Sequence, residues 1–168
     1  MPPVRLKDGQ FAHIRRAAAS DAVGLVALMN RCYQERLYYH TSTYDTTPEQ
    51  LASLIERDLH VVADVDGALA GWAEISPGRA EFMRHTGNLG MGIDRSYRDA
   101  GLGRHLLLAV LDLAREASLE RVTLYANASN ARALALYEKV GFVQEGRLRR
   151  EIKDSERYDD VVIMGLLF

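Results

Sequence analysis

The sequence has a single cysteine, Cys32, among its 168 residues. One cysteine excludes an internal disulfide bond, and it excludes a zinc site built from several cysteine ligands. A chain with so little cysteine fits a reducing compartment. We therefore expect a cytoplasmic protein that uses no metal.

Long apolar runs are also absent. No stretch approaches the roughly 20 apolar residues that a helix needs to span a bilayer. The first ten residues, MPPVRLKDGQ, lack the apolar core of a signal peptide. We expect a soluble protein without a membrane partner.

Neither sign of charge is in excess. The chain has 21 Lys and Arg residues against 23 Asp and Glu residues, which gives a formal net charge of −2. Proteins that track nucleic acid carry a strong positive field over the binding surface. The charge balance therefore disfavours nucleic acid as a partner, although it leaves local basic patches open.

The composition fits one globular α/β domain. With 48% hydrophobic and 26% charged residues, 168 residues can bury an ample core. We predict a single domain over residues 1–168, with residues 1–10 as a loose lead-in. Strand and helix patterns follow each other without regular alternation, which is typical of a mixed sheet covered by helices on its faces.

Short-range signals locate the elements of this domain. Ser20 and Asp21 can cap a first helix. Thr47-Pro48-Glu49-Gln50 has a capping threonine, a proline at the first helical position and a glutamine that completes a capping box. Asp66-Gly67 is a strong hairpin turn between two predicted strands. Alternating patterns predict strands at 11–15, 60–66, 68–76, 85–94, 121–127, 142–153 and 157–167.

The stretch Asn88–His105 combines a strand with a glycine turn and the start of a helix. Glycines at 101 and 103 suit a backbone that must approach a ligand closely, and the start of a helix attracts phosphate. The spacing does not match a Walker loop, because Arg104-His105 follows Gly103, and it does not match the dinucleotide-binding pattern GxGxxG, because position 106 is Leu. A tight turn or helix end without any ligand remains an alternative.

Two motifs together identify a resemblance. Arg98-x-x-Gly101-x-Gly103 after a strand, followed by Asn130-Ala131-Arg132-Ala133-Leu134-Ala135-Leu136-Tyr137-Glu138-Lys139-Val140-Gly141-Phe142, resembles the GNAT superfamily of acetyl-CoA-dependent N-acetyltransferases. The resemblance implies the GNAT fold, which is α/β with a mixed, mostly antiparallel sheet, splayed central strands and flanking helices. It also implies acetyl-CoA as cosubstrate.

The resemblance further implies where acetyl-CoA binds. Its pyrophosphate is expected on the backbone of the glycine turn, and its pantetheine arm along the preceding strand, where a backbone N–H polarises the thioester carbonyl. Asn130 is expected to bind the arm or the phosphates, and Tyr137 to face the sulfur as general acid. Alternatively, Asn130 only caps its helix and Tyr137 only fills the core. The implied cofactor-binding residues are Met91, Gly92, Ile93, Arg98, Asp99, Ala100, Gly101, Leu102, Gly103, Arg104, Asn130, Ala133 and Tyr137.

The general base is less clear from the sequence. Glu74 and His85 both lie on the strands that should border the acceptor, and His85 has the more suitable intrinsic pKa. A single histidine or glutamate near the end of a strand is also a common surface residue. We expect one of the two to remove the proton of the acceptor amine.

The acceptor is expected to be a small molecule. The order of the second half of the chain most resembles the branch that acetylates amino acids and related amines. Tyr33, Tyr38, Tyr39 and Tyr44 are expected to line the acceptor site, and Arg79 and Arg84 to pair with an acceptor carboxylate. The alternatives are acetylation of a protein N-terminus and a non-catalytic acyl-CoA-binding module. A homodimer through Val161–Phe168 is a further hypothesis.

Overall fold

The computed structural model describes residues 3–38, 42–155 and 157–168, which form one mixed sheet with helices on both faces. Within these ranges the sheet has eight strands in the order β1-β2-β3-β4-β5-β6-β8-β7. The strands are β1 (Val4–Arg5), β2 (Phe11–Arg16), β3 (Leu59–Val65), β4 (Ala68–Pro77), β5 (Thr86–Ile93), β6 (Arg121–Asn127), β7 (Val143–Asp154) and β8 (Arg157–Leu167). The helices are α1 (Ala22–Gln34), α2 (Pro48–Arg57), α3 (Leu102–Glu116) and α4 (Ala131–Val140).

The local signals hold at α2 and at the hairpin but not at α1. The Thr47 hydroxyl accepts from the Gln50 amide and the Gln50 side chain accepts from the Thr47 amide, so the capping box is confirmed. Asp66 and Gly67 have φ values of 51° and 82°, as a tight hairpin turn requires. Asp21 does not cap α1, because its carboxylate binds the Arg15 guanidinium and the Ala18 amide.

The N-terminal segment differs from the predicted loose lead-in. Within its described part, residues 3–10, β1 pairs with β2 and the Leu6 side chain is buried. The Lys7 amide donates to the Ala100 carbonyl at 3.0 Å. Two backbone contacts and one buried apolar side chain therefore join this segment to the sheet and to the glycine turn.

The two faces of the sheet carry separate cores. Ala73 and Ile75 of β4 pack in the larger core together with α3, whereas Trp72 packs in the smaller core with α1 and α2. Successive side chains of a strand point to opposite faces. Glu74 therefore lies on the face that α1 and α2 cover, and the glycine turn opens the helix on the other face.

The central strands β5 and β6 separate, as predicted. Their parallel pairing covers only Thr86–Leu89 against Arg121–Leu124. Beyond that point β5 continues to Ile93 and β6 to Asn127, each paired only on its outer side in the described register. A slot between the two strands results, bordered by the backbone of residues 90–93 and 125–127.

The strand order does not support the hypothesis of a dimer through Val161–Phe168. That segment belongs to β8, which pairs with β6 on one side and with β7 on the other. Over Val161–Gly165 both of its edges are therefore occupied, and edge-to-edge pairing needs an open edge. The outer strand at this end of the sheet is β7.

Candidate functional site

The glycine turn lies at the start of α3, and its two glycines serve different purposes. Gly101 occupies the N-cap position with φ of 90°, a conformation that glycine adopts without strain. Gly103 is inside the helix, where a Cβ would lie 3.0 Å from Ile93 Cδ1 and 3.3 Å from Leu136 Cδ2. Gly101 thus allows the backbone conformation of the turn, and the turn begins a helix and does not end one. Gly103 permits close packing of α3 on β5 and α4.

The backbone of this turn, more than its side chains, is available to an anion. Ala100 and Leu102 are buried in the core, and only Arg104 is exposed on the first helical turn. The first N–H groups of a helix have no carbonyl partner within the helix and carry its positive dipole end. The turn therefore has the donors that a pyrophosphate requires.

The Arg98 side chain has a structural contact instead of the expected free charge. Its guanidinium donates to both carboxylate oxygens of Glu35 at 2.7 Å, and its Nε donates to the Ile93 carbonyl at 3.0 Å. It thereby joins the end of α1 to the end of β5. Asp99 accepts from Arg132 of α4 at 2.6 Å, on the rim of a cleft of about 500 Å³ that Arg95 and Arg98 also line.

Helix α4 has Asn130 as its N-cap residue and carries Tyr137 seven residues later. Asn130 caps the helix, because its Oδ1 accepts from the Ala133 amide at 3.2 Å. A ligand at this residue would meet its Nδ2 donor. Tyr137 is buried, with its ring edge-to-face against Phe142 at 5.8 Å, and burial raises its pKa to about 12. At neutral pH Tyr137 therefore keeps its proton.

Asn127 is a site residue that sequence reasoning missed. It ends β6, beyond the point where β5 and β6 separate, and it is 5% exposed. Its Oδ1 is buried without a hydrogen-bond partner among the described residues. Such an orphaned acceptor is costly unless a ligand or water satisfies it. In the sequence, Asn127 is an ordinary polar position of an alternating strand, so nothing there singles it out.

Along the strands, Glu74 lies beside the position where β5 and β6 separate, because its register partner Gly90 directly follows the last paired residue, Leu89. It faces Gly90 across β4 and β5, where an added Cβ would come within 3.0 Å of Glu74 Oε1. The side chain keeps 30% exposure although protein atoms surround it. Burial, and secondarily the negative charge of Asp58, raises the pKa of Glu74 to about 7.

The structure does not bring His85 to this cleft. His85 is exposed and lies before the first residue of β5, five residues from Gly90. At about 3.3 Å per residue the separation along the strand is about 17 Å. Its carbonyl accepts from the amides of Glu120 and Arg121, at the end of the sheet remote from the glycine turn. Of the two candidate bases, only Glu74 is near the slot.

Two of the predicted tyrosines stand over Glu74. The rings of Tyr33 and Tyr44 meet edge-to-face at 5.6 Å, and burial, followed by the Glu74 charge, raises the pKa of Tyr33 to about 12. The Glu74 charge also contributes to the raised pKa of Tyr44. Tyr39 lies outside the described residues, and Tyr38 is half-buried at the end of a described range.

The two arginines expected to bind an acceptor carboxylate are both solvent-facing. Arg79 has an Nη2 atom 3.9 Å from Asp58 Oδ2 and is 65% exposed, and Arg84 is exposed after a short turn at Glu81–Met83. Arg79 therefore already has a carboxylate nearby. Within the described ranges, no three His, Cys, Asp or Glu side chains are grouped as a metal site would need, and no helix has the length and apolarity to cross a membrane.

Comparison with known proteins agrees with this geometry. The model of the acetyltransferase (GNAT) family matches residues 24–142. A GNAT-family acetyltransferase from Streptococcus pneumoniae has a crystal structure similar to this one, with a TM-score of 0.88 and 29% identity over 94% of this chain and 99% of that chain.

Curated relatives include acetyltransferases of two kinds. A mycothiol acetyltransferase of Clavibacter sepedonicus is 36% identical over 128 residues, which cover 74% of this chain and 40% of that protein. The N-alpha-acetyltransferase RimI of Mycobacterium tuberculosis is 41% identical over 100 residues, or 57% of this chain and 59% of that protein. The chain spans only 26% to 47% of the length of the mycothiol acetyltransferases that it matches.

Proposed function

The chain belongs to the acetyltransferase (GNAT) family, and on that premise we propose that it acetylates the primary amine of a small molecule, an amino acid or its analogue. Acetyl-CoA is the donor, and the amine attacks directly in a ternary complex. One observation carries the proposal: Glu74 and Tyr137 lie on opposite faces of the sheet, and Glu74 faces Gly90 where β5 and β6 separate. A proton acceptor and a proton donor on either side of one reaction centre suit amine attack on a thioester.

The residues around the slot fit acetyl-CoA. The inner edge of β5 over residues 90–93 has no strand partner in the described register, so its backbone groups can pair with the amides of a pantetheine arm. The orphaned Asn127 Oδ1 supplies one further acceptor for an amide N–H. Backbone N–H groups at the start of α3, and Arg104 beside them, suit the pyrophosphate. When bound, acetyl-CoA supplies an activated acetyl group and a thiol leaving group.

Glu74 removes the proton that prevents the acceptor from attacking. The α-ammonium group of a peptide has a pKa of about 7.7 to 8.0, so proton transfer to a carboxylate of pKa about 7 is uphill by only about 1 kcal/mol. For a lysine-like amine of pKa about 10.4 the same transfer is uphill by about 5 kcal/mol. This comparison supports a peptide α-amine over a long-chain alkyl amine as the acceptor.

Tyr137 donates a hydrogen bond to the departing sulfur. With a pKa of about 12 against about 8.5 for a thiol, complete proton transfer from Tyr137 is uphill by about 5 kcal/mol. We therefore assign it stabilisation of developing negative charge by a hydrogen bond, while a backbone N–H of residues 90–93 polarises the carbonyl. Neither group forms a covalent intermediate in this scheme.

An acetyl-CoA-dependent thiol-release assay tests the proposal. The acceptors are free amino acids, polyamines, aminoglycosides and short peptides, and the variants are Tyr137→Phe and Glu74→Gln. The matched controls are Tyr158→Phe, on the exposed part of β8, and Glu116→Gln, at the exposed end of α3. The proposal is supported if free amino acids cause thiol release, and if the rate of this release is lower in both site variants and unchanged in both controls.

A second candidate is acetylation of a protein N-terminus, which the similarity to the RimI protein favours. It shares the α-amine chemistry, so it predicts release with short peptides and little release with free amino acids. Thermal stabilisation by acetyl-CoA without release from any acceptor would instead support an acyl-CoA-binding module.

A further inference from the structure

His60 is a buried titratable side chain that the proposed reaction leaves without a role. It lies on β3 directly opposite Glu74 of β4 in the register of the sheet, and its side chain is 4% exposed. Its Nδ1 is 3.5 Å from Glu74 Oε2. A histidine is seldom buried beside a carboxylate without a hydrogen bond between them, and bonds at such sites often shorten only when a ligand is bound.

The two oxygens of Glu74 have different neighbours. Oε2 is the oxygen near His60, whereas Oε1 is the oxygen nearest the open position above Gly90 of β5. A group that holds Oε2 therefore turns Oε1 toward the slot. The missing side chain at Gly90 keeps the path between Oε1 and the slot open.

Other charged and titratable groups surround this pair. Asp58, two residues before His60 on the same face, accepts from the Ser76 hydroxyl at 2.9 Å and from Arg57 at 3.2 Å, with Arg79 at 3.9 Å. Tyr33 of α1 and Tyr44 before α2 are close enough for the charge of Glu74 to raise the pKa of each. Asp58 is thus already engaged, and His60 is the described side chain that is placed to bind Glu74 Oε2.

We propose that His60 is a positioning residue that donates its Nδ1–H to Glu74 Oε2 and so directs Oε1 at the acceptor amine. The inference rests on the proposed function. His60 keeps its proton throughout, and the proton removed from the acceptor ammonium ends on Oε1 of Glu74. Because the hydrogen bond stabilises the ionised carboxylate, it keeps the pKa of Glu74 lower than burial alone would set it.

Three substitutions separate positioning from mere packing. His60→Asn keeps a donor near the position of Nδ1, His60→Gln puts the donor near the position of Nε2, and His60→Leu fills the space without a donor. With His60→Leu or His60→Gln we expect kcat to fall about tenfold and the acid limb of kcat against pH to move up by about 0.5 to 1 unit, with little change in KM. His60→Asn should keep the acid limb within about 0.3 unit of that of the unmodified protein.

A titration without substrate tests the same contact independently of turnover. NMR of the His60 imidazole, identified among five histidines by its loss in His60→Asn, is compared between the unmodified protein, Glu74→Gln and the control Glu116→Gln. We expect the His60 signals to shift a second time near pH 7, where Glu74 titrates, and we expect this second shift to be absent in Glu74→Gln and present in the control.

Each result decides the question. Absence of this second shift in the unmodified protein, or its persistence in Glu74→Gln, overturns the contact, and equal acid limbs in the Leu and Asn variants overturn the positioning role. If His60→Leu fails to fold, the comparison of Asn with Gln carries the same test. If no acceptor is acetylated, the proposed function has failed. The NMR titrations of His60 in the unmodified protein and in Glu74→Gln still show in that case whether His60 and Glu74 interact.

Discussion

Glu74 and Tyr137 belong to opposite faces of the sheet, and the separation of β5 from β6 is the place where both faces become accessible to one ligand. The different environments of the two side chains match the roles proposed for them. Glu74 keeps partial exposure and a pKa of about 7, whereas Tyr137 is enclosed with a pKa of about 12. Near neutral pH the first can accept a proton and the second remains a donor.

Removal of the Tyr137 hydroxyl should slow acetyl transfer without unfolding the protein. Tyr137→Phe is expected to lower kcat roughly ten- to a thousand-fold, the range of a general acid or a strong hydrogen-bond donor. The ring contact with Phe142 persists in this variant, so the thermal midpoint should change little. Steady-state kinetics beside Tyr158→Phe is the measurement, and an unchanged kcat would remove Tyr137 from the mechanism.

The rate should depend on the ionisation of Glu74. The acid limb of kcat is expected near pH 7, where the Glu74 carboxylate forms, and Glu74→Gln should abolish that limb together with most of the activity. His85→Ala is the comparison, and it should leave the limb in place because His85 lies at the remote end of β5. A limb that moves in His85→Ala and persists in Glu74→Gln would reverse this assignment.

The same ionisation should affect folding. The pKa of Glu74 is about 7 in the folded protein, above its ordinary value of 4.5, so the folded state holds the proton more tightly. The stability that this gives is present below pH 4.5 and is lost as the pH rises through 7. Glu74→Gln should therefore gain stability relative to the unmodified protein between pH 5 and pH 8. Urea unfolding at pH 5 and at pH 8 measures the difference in the free energy of unfolding between Glu74→Gln and the unmodified protein. The same difference at both pH values would contradict the prediction.

Gly101 and Gly67 allow strain to be separated from binding. Both have a left-handed backbone, with φ of 90° and 82°, and a Cβ at either position would meet no atom closer than 3.9 Å. Changing either glycine to alanine should lower the free energy of unfolding by a similar amount, about 1 kcal/mol. Only Gly101→Ala should also weaken acetyl-CoA binding, because it moves the backbone N–H groups at the start of α3. Calorimetric titration of both variants is the test.

The Arg98 side chain should matter for stability and little for the cosubstrate. Arg98→Ala leaves the partly buried Glu35 carboxylate without its bidentate partner, and a loss of about 1 to 3 kcal/mol is expected. Adding Glu35→Gln should recover part of this loss. The dissociation constant of acetyl-CoA should change less than in Gly101→Ala. A large loss of affinity with unchanged stability would show instead that the guanidinium binds phosphate.

Local signals in the sequence predicted most of the elements, while the choice among candidate residues depended on long-range pairing. The capping box at Thr47 and the turn at Asp66-Gly67 involve neighbours in the chain, so the sequence contains all of their interactions. Glu74 and His85 look equally suitable as bases until the register places Glu74 opposite Gly90.

The residues that were missed have no local signature. His60 becomes notable only through its strand partner, and Asn127 only because β5 and β6 separate beside it. The position of β8 between β6 and β7 is likewise a property of the whole sheet, and it leaves the expected dimer contact without an open strand edge over Val161–Gly165. Burial and strand order arise from distant parts of the chain, and a pattern read over a few residues does not contain them.

The hydrogen bond from Lys7 to Ala100 makes the beginning of the chain a practical concern for anyone who prepares this protein. An affinity tag fused at this end, or a deletion up to Phe11, would disturb the Leu6 side chain and the strand pair that hold Lys7 in place. The glycine turn would then lose a support although its own sequence is intact. Low affinity for acetyl-CoA in such a preparation would then be a result of the altered N-terminal segment.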